Sequence, residues 1–411
     1  MAKFDEFMVT QNTLWKAYKA LSEAGELESE VGSETLAEAL VYLSHARATL
    51  ERERRIPGVM VAPQDRRTAL VQTMLGSLAE QVGRVKALPA GGWEAKFDMP
   101  DIHQVLGRVG DLSQLVSHEL LLAPPQAEPF GNSARMALLG NWGTGIYGAP
   151  VSASSIESDA GGFQMVMHLG GIFYSGTEVE VRDRFLAFWP KVPGVLSRAL
   201  NGNHEMYSGG HAYFELVLPA FGQQSSYFAF ENDHWLLAAL DTAYHEHDLT
   251  SDQVKWLEAL IGQTGERKLI LFSHHQPYSL LDYQGPALVG KLASLLEEKR
   301  VFAWYWSHEP RCVLYDPHPL WGLHGRCIGH GGLPAFHDDL GPVPPTPEWR
   351  RLPPRNFVPS GLILYGPNRY IAGHETEYLP HGYVTLEFDG PRLREFVHDA
   401  DGTVLNELAL A

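Results

Sequence analysis

The sequence predicts an α/β layered fold preceded by a helical region, and three features carry this. Short apolar runs recur through the second part of the chain and end in Gly, His or Asn. Helical stretches, such as Ser251 to Leu260 and Leu288 to Leu296, lie between several of them. The first part instead carries apolar stripes at helix spacing. Buried strands joined by short helical crossovers build layered α/β sheets, with ligands beyond the strand ends.

Taken in order, Leu14, Tyr18 and Leu21 suggest a short first helix. Ser33 is the expected N-cap before Leu36, Leu40, Leu43 and Leu50. Val71, Met74, Leu75, Leu78, Val82 and Val85 form a second stripe, and Ile102, Val105, Leu106, Val109, Val116 and Leu120 a third. Pro57, Pro63, Pro89 and Gly91-Gly92 punctuate them. Residues 1–122 are therefore expected to be a helical accessory domain, and a protein partner would dock there. The Pro-rich stretch 123–131 reads as a linker, and 132–411 as the main domain.

Within the main domain, Met136 to Gly140, Met165 to Gly170, Leu196 to Leu200, Trp235 to Leu240, Lys268 to Ser273 and Val301 to Trp306 are expected strands. The Pro-rich stretch Gly341 to Pro359 is expected to be an irregular surface loop. Alternation over Tyr383 to Phe388, a turn at Asp389-Gly390 and the run Leu393 to Val397 predict a C-terminal hairpin at a sheet edge.

With 411 residues, 45% hydrophobic and 20% charged, the chain has the composition of a globular protein of two to three domains. No run of about 18 apolar residues is present, so no membrane span is expected. The N-terminus lacks an apolar signal core, which predicts a cytoplasmic protein. A net charge of −17 argues against nucleic acid or anionic lipid as partners. The two cysteines, Cys312 and Cys327, sit in apolar stretches and are expected to be buried and reduced. The 19 histidines fall mostly after residue 165, which directs attention there for metal or proton chemistry.

Several familiar motifs are absent. Gly140-Asn-Trp-Gly143-Thr-Gly145 has the wrong glycine spacing for a dinucleotide loop. There is no G-x-S-x-G, and His204-Glu205 and His374-Glu375 lack the second histidine of H-E-x-x-H. The informative signal is a series: Asn141-Trp-Gly143, Gly170-Gly-Ile-Phe-Tyr174, Gly202-Asn-His-Glu205, Leu271-Phe-Ser-His274 and Ser307-His-Glu-Pro310. In order and spacing it resembles the calcineurin-like metallophosphoesterases, the purple acid phosphatase branch in particular, over about residues 135 to 335. That family carries D-x-G, G-D-x-x-Y, G-N-H-D/E, V-x-x-H and G-H-x-H at strand ends. The resemblance implies a layered β-sandwich flanked by helices and a two-metal phosphoesterase site.

Two divalent ions about 3.5–4 Å apart repel by on the order of 20 kcal/mol at an effective dielectric of 20, so anionic ligands must offset them. Here the pattern departs from the family. Asn141 stands at the first aspartate position, Gly171 at the bridging aspartate and Pro310 at the last histidine. Of the first site's ligands the resemblance leaves Tyr174, with Asn141 as an uncharged substitute. At the second site Asn203, His274 and His308 remain, three neutral ligands that would hold at most one Zn²⁺, Mn²⁺ or Fe²⁺ weakly, or none. His204 occupies the family's proton-donor position. His275, Asp241, His245 and His247 are further candidates to complete the coordination.

Three functions stay open. The first is a metallophosphoesterase scaffold that has lost two-metal catalysis and now serves binding or regulation. The second is a hydrolase of a phosphate-containing small molecule with a mononuclear or rearranged site, using Asn141, Asn203, His274 and His308, with His204 as general acid. The third is a metal-assisted reaction on a non-phosphate substrate.

Overall fold

The computed structural model describes residue 41, residues 65–66, 68–70, 73, 85–87 and 93–95, and then 124–172, 175–243, 248–282, 286–337 and 340–411. Most of the N-terminal stripes, together with Tyr174, His245 and His247, lie outside the described residues.

Strands β1 (Val85–Ala87) and β2 (Trp93–Ala95) form a small antiparallel pair. Val85, expected at the end of a helical stripe, thus begins a strand. The following strands are β3 (Ala127–Pro129), β4 (Ser133–Leu139), β5 (Met165–Leu169), β6 (Leu196–Leu200), β7 (Phe228–Glu231), β8 (Trp235–Leu240) and β9 (Lys268–Ser273). After them come β10 (Val301–Trp306), β11 (Cys312–Tyr315), β12 (His324–Ile328), β13 (Glu348–Leu352), β14 (Gly361–Tyr365), β15 (Gly382–Asp389), β16 (Arg392–Asp399) and β17 (Val404–Ala409).

They form two large sheets. The six-stranded sheet runs β17-β16-β15-β4-β5-β6, and the nine-stranded sheet runs β13-β14-β11-β12-β10-β9-β8-β7-β3. β4, β5 and β6 are mutually parallel, as are β8, β9, β10 and β12. The predicted C-terminal hairpin is β15–β16, and β17 extends it to the sheet edge. Two expectations change in detail. Ala127–Pro129, in the stretch read as a linker, is an edge strand beside β7. Glu348–Leu352 pairs with β14 inside the Pro-rich stretch read as loop.

Strand alternation explains the layering. Met136 and Leu138 face Met167, Leu237, Ile270, Phe272 and Tyr305 in a core between the sheets. Ala137 and Leu139, on the other face of β4, pack with Ala149, Ala153 and Ile156 of helix α1 (Gly148–Ser158), Phe185 and Trp189. On the outer face of the larger sheet, Leu269, Leu271, Trp304 and Trp306 pack with Trp256 and Leu257 of helix α2 (Ser251–Gln263). Thr250 caps that helix by accepting from the Gln253 N–H. The order is helix, sheet, sheet, helix.

One ion pair crosses the core. Arg326 of β12 and Glu395 of β16 are 3% and 1% exposed, 2.8 Å apart, and Tyr305 donates to the same carboxylate at 2.6 Å. The Arg326 Nη1 donates to the Tyr315 and Gly325 carbonyls, so the buried charge is well solvated by protein dipoles. Cys312 and Cys327 are buried free thiols. Among the described residues no helix is long and apolar enough to cross a membrane.

Candidate metal centre

Each strand-end motif lies where a buried apolar strand stops. β4 runs into Asn141, β5 into Gly170-Gly171, β6 into Gly202-Asn203, β9 into His274-His275 and β10 into Ser307-His308. The two sheets thereby bring five strand ends to one edge. The Ser307 and His308 N–H groups both donate to the His274 carbonyl, at 3.1 and 2.8 Å, which fixes the two histidine-bearing loops against each other.

His274 is fully buried and is the hub. Its Nδ1 lies 2.9 Å from the Leu169 carbonyl. A carbonyl only accepts, so in the Nδ1–H tautomer this contact is a hydrogen bond and Nε2 presents its lone pair. Nε2 lies 3.1 Å from Asn203 Oδ1 and 3.2 Å from His308 Nδ1. Asn203 in turn donates its Nδ2 to the Tyr207 hydroxyl at 2.6 Å, which turns its oxygen toward His274. Burial and the nearby His308 hold the His274 imidazole well below its ordinary range, so the ring is neutral. The imidazole fits because Gly202 lacks a side chain: a Cβ there would lie 2.7 Å from Nε2.

His275 adds a third imidazole. Among the described residues, His274, His275 and His308 are the one group of three histidine, cysteine or carboxylate side chains able to share an ion, with ligand atoms within 4.8 Å of one another. Thr242 Oγ1 contacts His275 Nδ1 at 3.0 Å and fixes the ring. Donor atoms in a tetrahedral zinc site with bonds of about 2.0–2.1 Å are about 3.3 Å apart. The 3.1 and 3.2 Å separations around His274 Nε2 match that edge. The cluster of His274, His275 and His308, with Asn203 beside it, could hold a metal ion.

At the end of β4 the Asn141 side chain is turned to other contacts. The Asn141 Nδ2 donates to the Ser307 carbonyl and, at 3.2 Å, to the His308 carbonyl. Its Oδ1 is buried without a hydrogen-bond partner and is the one donor atom this residue offers. A Cβ built on Gly171, whose φ is +94°, would collide with that oxygen, so the space of the missing aspartate is filled. Two buried carboxylates, Glu205 and Glu309, are engaged in other contacts. Glu205 accepts from the backbone N–H groups of Gly171, Ile172 and Gly202 and ties two strand ends together. Glu309 accepts from Ser279 at 2.7 Å and from Trp306. Asp241 accepts from the Ala243 N–H.

His204 is buried on helix α3 (Asn203–Tyr207), edge-on to Tyr207 at 5.0 Å, and near enough for its charge to bear on His274. The structure thus brings Asn203, His274 and His308 together and sets Asn141 into a structural contact. Tyr207, Thr242 and the Leu169 carbonyl, which orient the donors, have no motif that marks them in sequence.

No family profile and no curated protein sequence matches the chain. Solved structures do. The purple acid phosphatase PPD1 from yellow lupin (Lupinus luteus) seeds superposes with a TM-score of 0.52 at 15% identity, over 69% of this chain and 55% of that one. This chain therefore spans about half the length of the lupin structure. GAP50, described as the anchor in the inner membrane complex of Plasmodium, aligns with a TM-score of 0.47 at 13% identity, over 67% of this chain and 88% of that one. With five motif-bearing strand ends gathered at one edge of a two-sheet sandwich, the chain has the calcineurin-like metallophosphoesterase fold.

Proposed function

We propose that this protein has lost two-metal phosphoester hydrolysis and serves a binding or regulatory role, with at most one divalent ion held by His274, His275, His308 and Asn203. The Asn141 carboxamide carries this reading. It fills the space facing Gly171 and turns N–H groups, not a charge, toward the neighbouring strand end. Without an anionic bridge nothing offsets the mutual repulsion of two ions. Bound at the imidazoles, one ion would supply a positive charge for an anionic oxygen. The chain's own part is orientation: Leu169 fixes the His274 proton at Nδ1, Tyr207 aims Asn203 and Thr242 holds His275.

The N-terminal region is the proposed partner surface. Arg66 Nε donates to the Tyr207 carbonyl at 3.0 Å, so this region touches the helix that carries Asn203, and Thr73 donates to Glu180 at 2.6 Å. The buried free thiols agree with a cytoplasmic setting. The test is metal content by mass spectrometry together with turnover of p-nitrophenyl phosphate in Zn²⁺, Mn²⁺ and Fe²⁺. We expect no more than one ion per chain and no turnover above that of free metal. Two ions with turnover would overturn the reading.

A second reading, mononuclear phosphoester hydrolysis, draws on the three-imidazole cluster and on buried His204 as proton donor. Turnover with one ion per chain that disappears in both His274→Ala and His204→Ala would favour it. Turnover unchanged by either substitution would remove it.

A further inference from the structure

We infer that the Asn141 carboxamide does the structural work of the absent cation, so that the strand ends around it are held together without metal. This rests on the loss of the first metal position proposed above and says what replaced it. The Ser307 and His308 carbonyls turn inward to the end of β4. Buried carbonyls need a positive partner, either a cation or an N–H. The amide nitrogen has two protons, and it gives one to each carbonyl. The Asn141 main chain adds two more ties: its N–H donates to the Gly170 carbonyl at 2.9 Å, and its carbonyl accepts from the Leu333 N–H at 3.1 Å. One residue therefore joins the ends of β4, β5 and β10 to the loop after β12.

The surroundings are built to this side chain. Gly171 leaves room for Oδ1, and a Cβ on Gly329 would lie 2.8 Å from Nδ2. Asn141 itself has a φ of +52°, a left-handed conformation that asparagine tolerates better than most residues. An aspartate in the same place would turn an oxygen toward two carbonyl oxygens, and a cation or a proton held on the carboxyl would be needed to reconcile the three.

The experiment compares melting of the full chain in EDTA and in Mn²⁺ for wild type, Asn141→Asp and Asn141→Ala. In EDTA, Asn141→Asp should melt at least about 5 °C below wild type, and Mn²⁺ should restore most of that loss. Asn141→Ala should also melt lower in EDTA, but Mn²⁺ should shift it no more than it shifts wild type. Asn141→Asp melting within about 1 °C of wild type in EDTA would overturn the inference. So would a loss that Mn²⁺ restores no better in Asn141→Asp than in Asn141→Ala. Metal content of the wild type separates the two proposals. Two ions with turnover defeat the proposed function, whereas a wild type that binds no ion leaves the Asn141 result to stand by itself.

Discussion

Replacing Tyr207 with Phe removes the hydroxyl that accepts from Asn203 at the candidate metal centre. The Tyr207 hydroxyl accepts the Asn203 Nδ2 at 2.6 Å, while Asn203 Oδ1 faces His274 Nε2 at 3.1 Å. Without the hydroxyl, the amide loses the contact that distinguishes its oxygen end from its nitrogen end. A neutral hydrogen bond contributes about 1 kcal/mol net, which corresponds to about fivefold in affinity. Partners that orient metal ligands more often contribute 10- to 100-fold, so a five- to tenfold weaker Kd is a conservative expectation. Titration calorimetry with Zn²⁺, and the visible absorbance of the Co²⁺ form, would measure it. Tyr207 is only partly buried, so the fold should be little disturbed. The control is Asn203→Ala: in that background Tyr207→Phe should have no further effect on affinity. A single variant that binds Zn²⁺ within twofold of wild type refutes the reasoning, as does an equal loss in both backgrounds.

Four other substitutions test the packing of the fold. Burial pushes the Glu180 carboxyl up to about 7 from about 4.5, against hydrogen bonds from Thr73, Thr177 and Ser175. The folded state therefore keeps a proton that the unfolded state releases. Its contribution is fully present below about pH 4.5 and is lost as pH rises through about 7. In urea titrations from pH 5 to 8, wild type should lose on the order of 3 kcal/mol more than Glu180→Gln; parallel pH curves would contradict this. Glu395→Ala strands buried Arg326 and should cost about 3–5 kcal/mol, read from the urea midpoint. A cost under about 1 kcal/mol would mean the pair is hydrated. Gly171→Ala meets both a φ of +94° and the Asn141 oxygen, whereas Gly194 has a φ of +76° and open space. Gly194→Ala should cost about 1 kcal/mol and Gly171→Ala clearly more by thermal melting; equal costs would deny the collision.

Most of the strands that carry the site were legible because they are compact apolar runs that halt at Gly, Asn, Ser or His. Burial on both faces demands the run, and the halt marks where the chain leaves the sheet. The elements that were not legible lack such contrast. β3 is an edge strand of three residues ending in proline, and a single ladder partner asks little of its sequence. β13 reads Glu-Trp-Arg-Arg-Leu amid prolines, and its charged residues suit an edge strand whose outer ladder is unpaired. The apolar spacing over Leu288 to Leu296 continues through a break at Leu292, whose φ and ψ of −112° and 14° separate helices Pro286–Lys291 and Ala293–Glu297. Periodicity records which face is apolar and does not register a local change of backbone direction.

The site divides along the same line. His274, His308 and Asn203 are side chains whose type announces what they can do, and their strand ends converge as the motif order implies. The features that decide what the convergence means are relational. Leu169 acts through its carbonyl, which any residue possesses, yet it assigns the His274 proton and so makes Nε2 a donor of electrons. Tyr207 acts through a hydroxyl one helical turn from Asn203, where an aromatic side chain reads as packing. Asn141 is the instructive case. In sequence it is an aspartate missing its charge, a weakened ligand. In the fold its nitrogen faces two carbonyls and its oxygen occupies the space beside Gly171, so the amide and the neighbouring glycine fit each other. A lone carboxamide at an otherwise intact two-metal site would leave a gap and an uncompensated charge. On the proposed reading, the amide supplies volume and positive polarity at once.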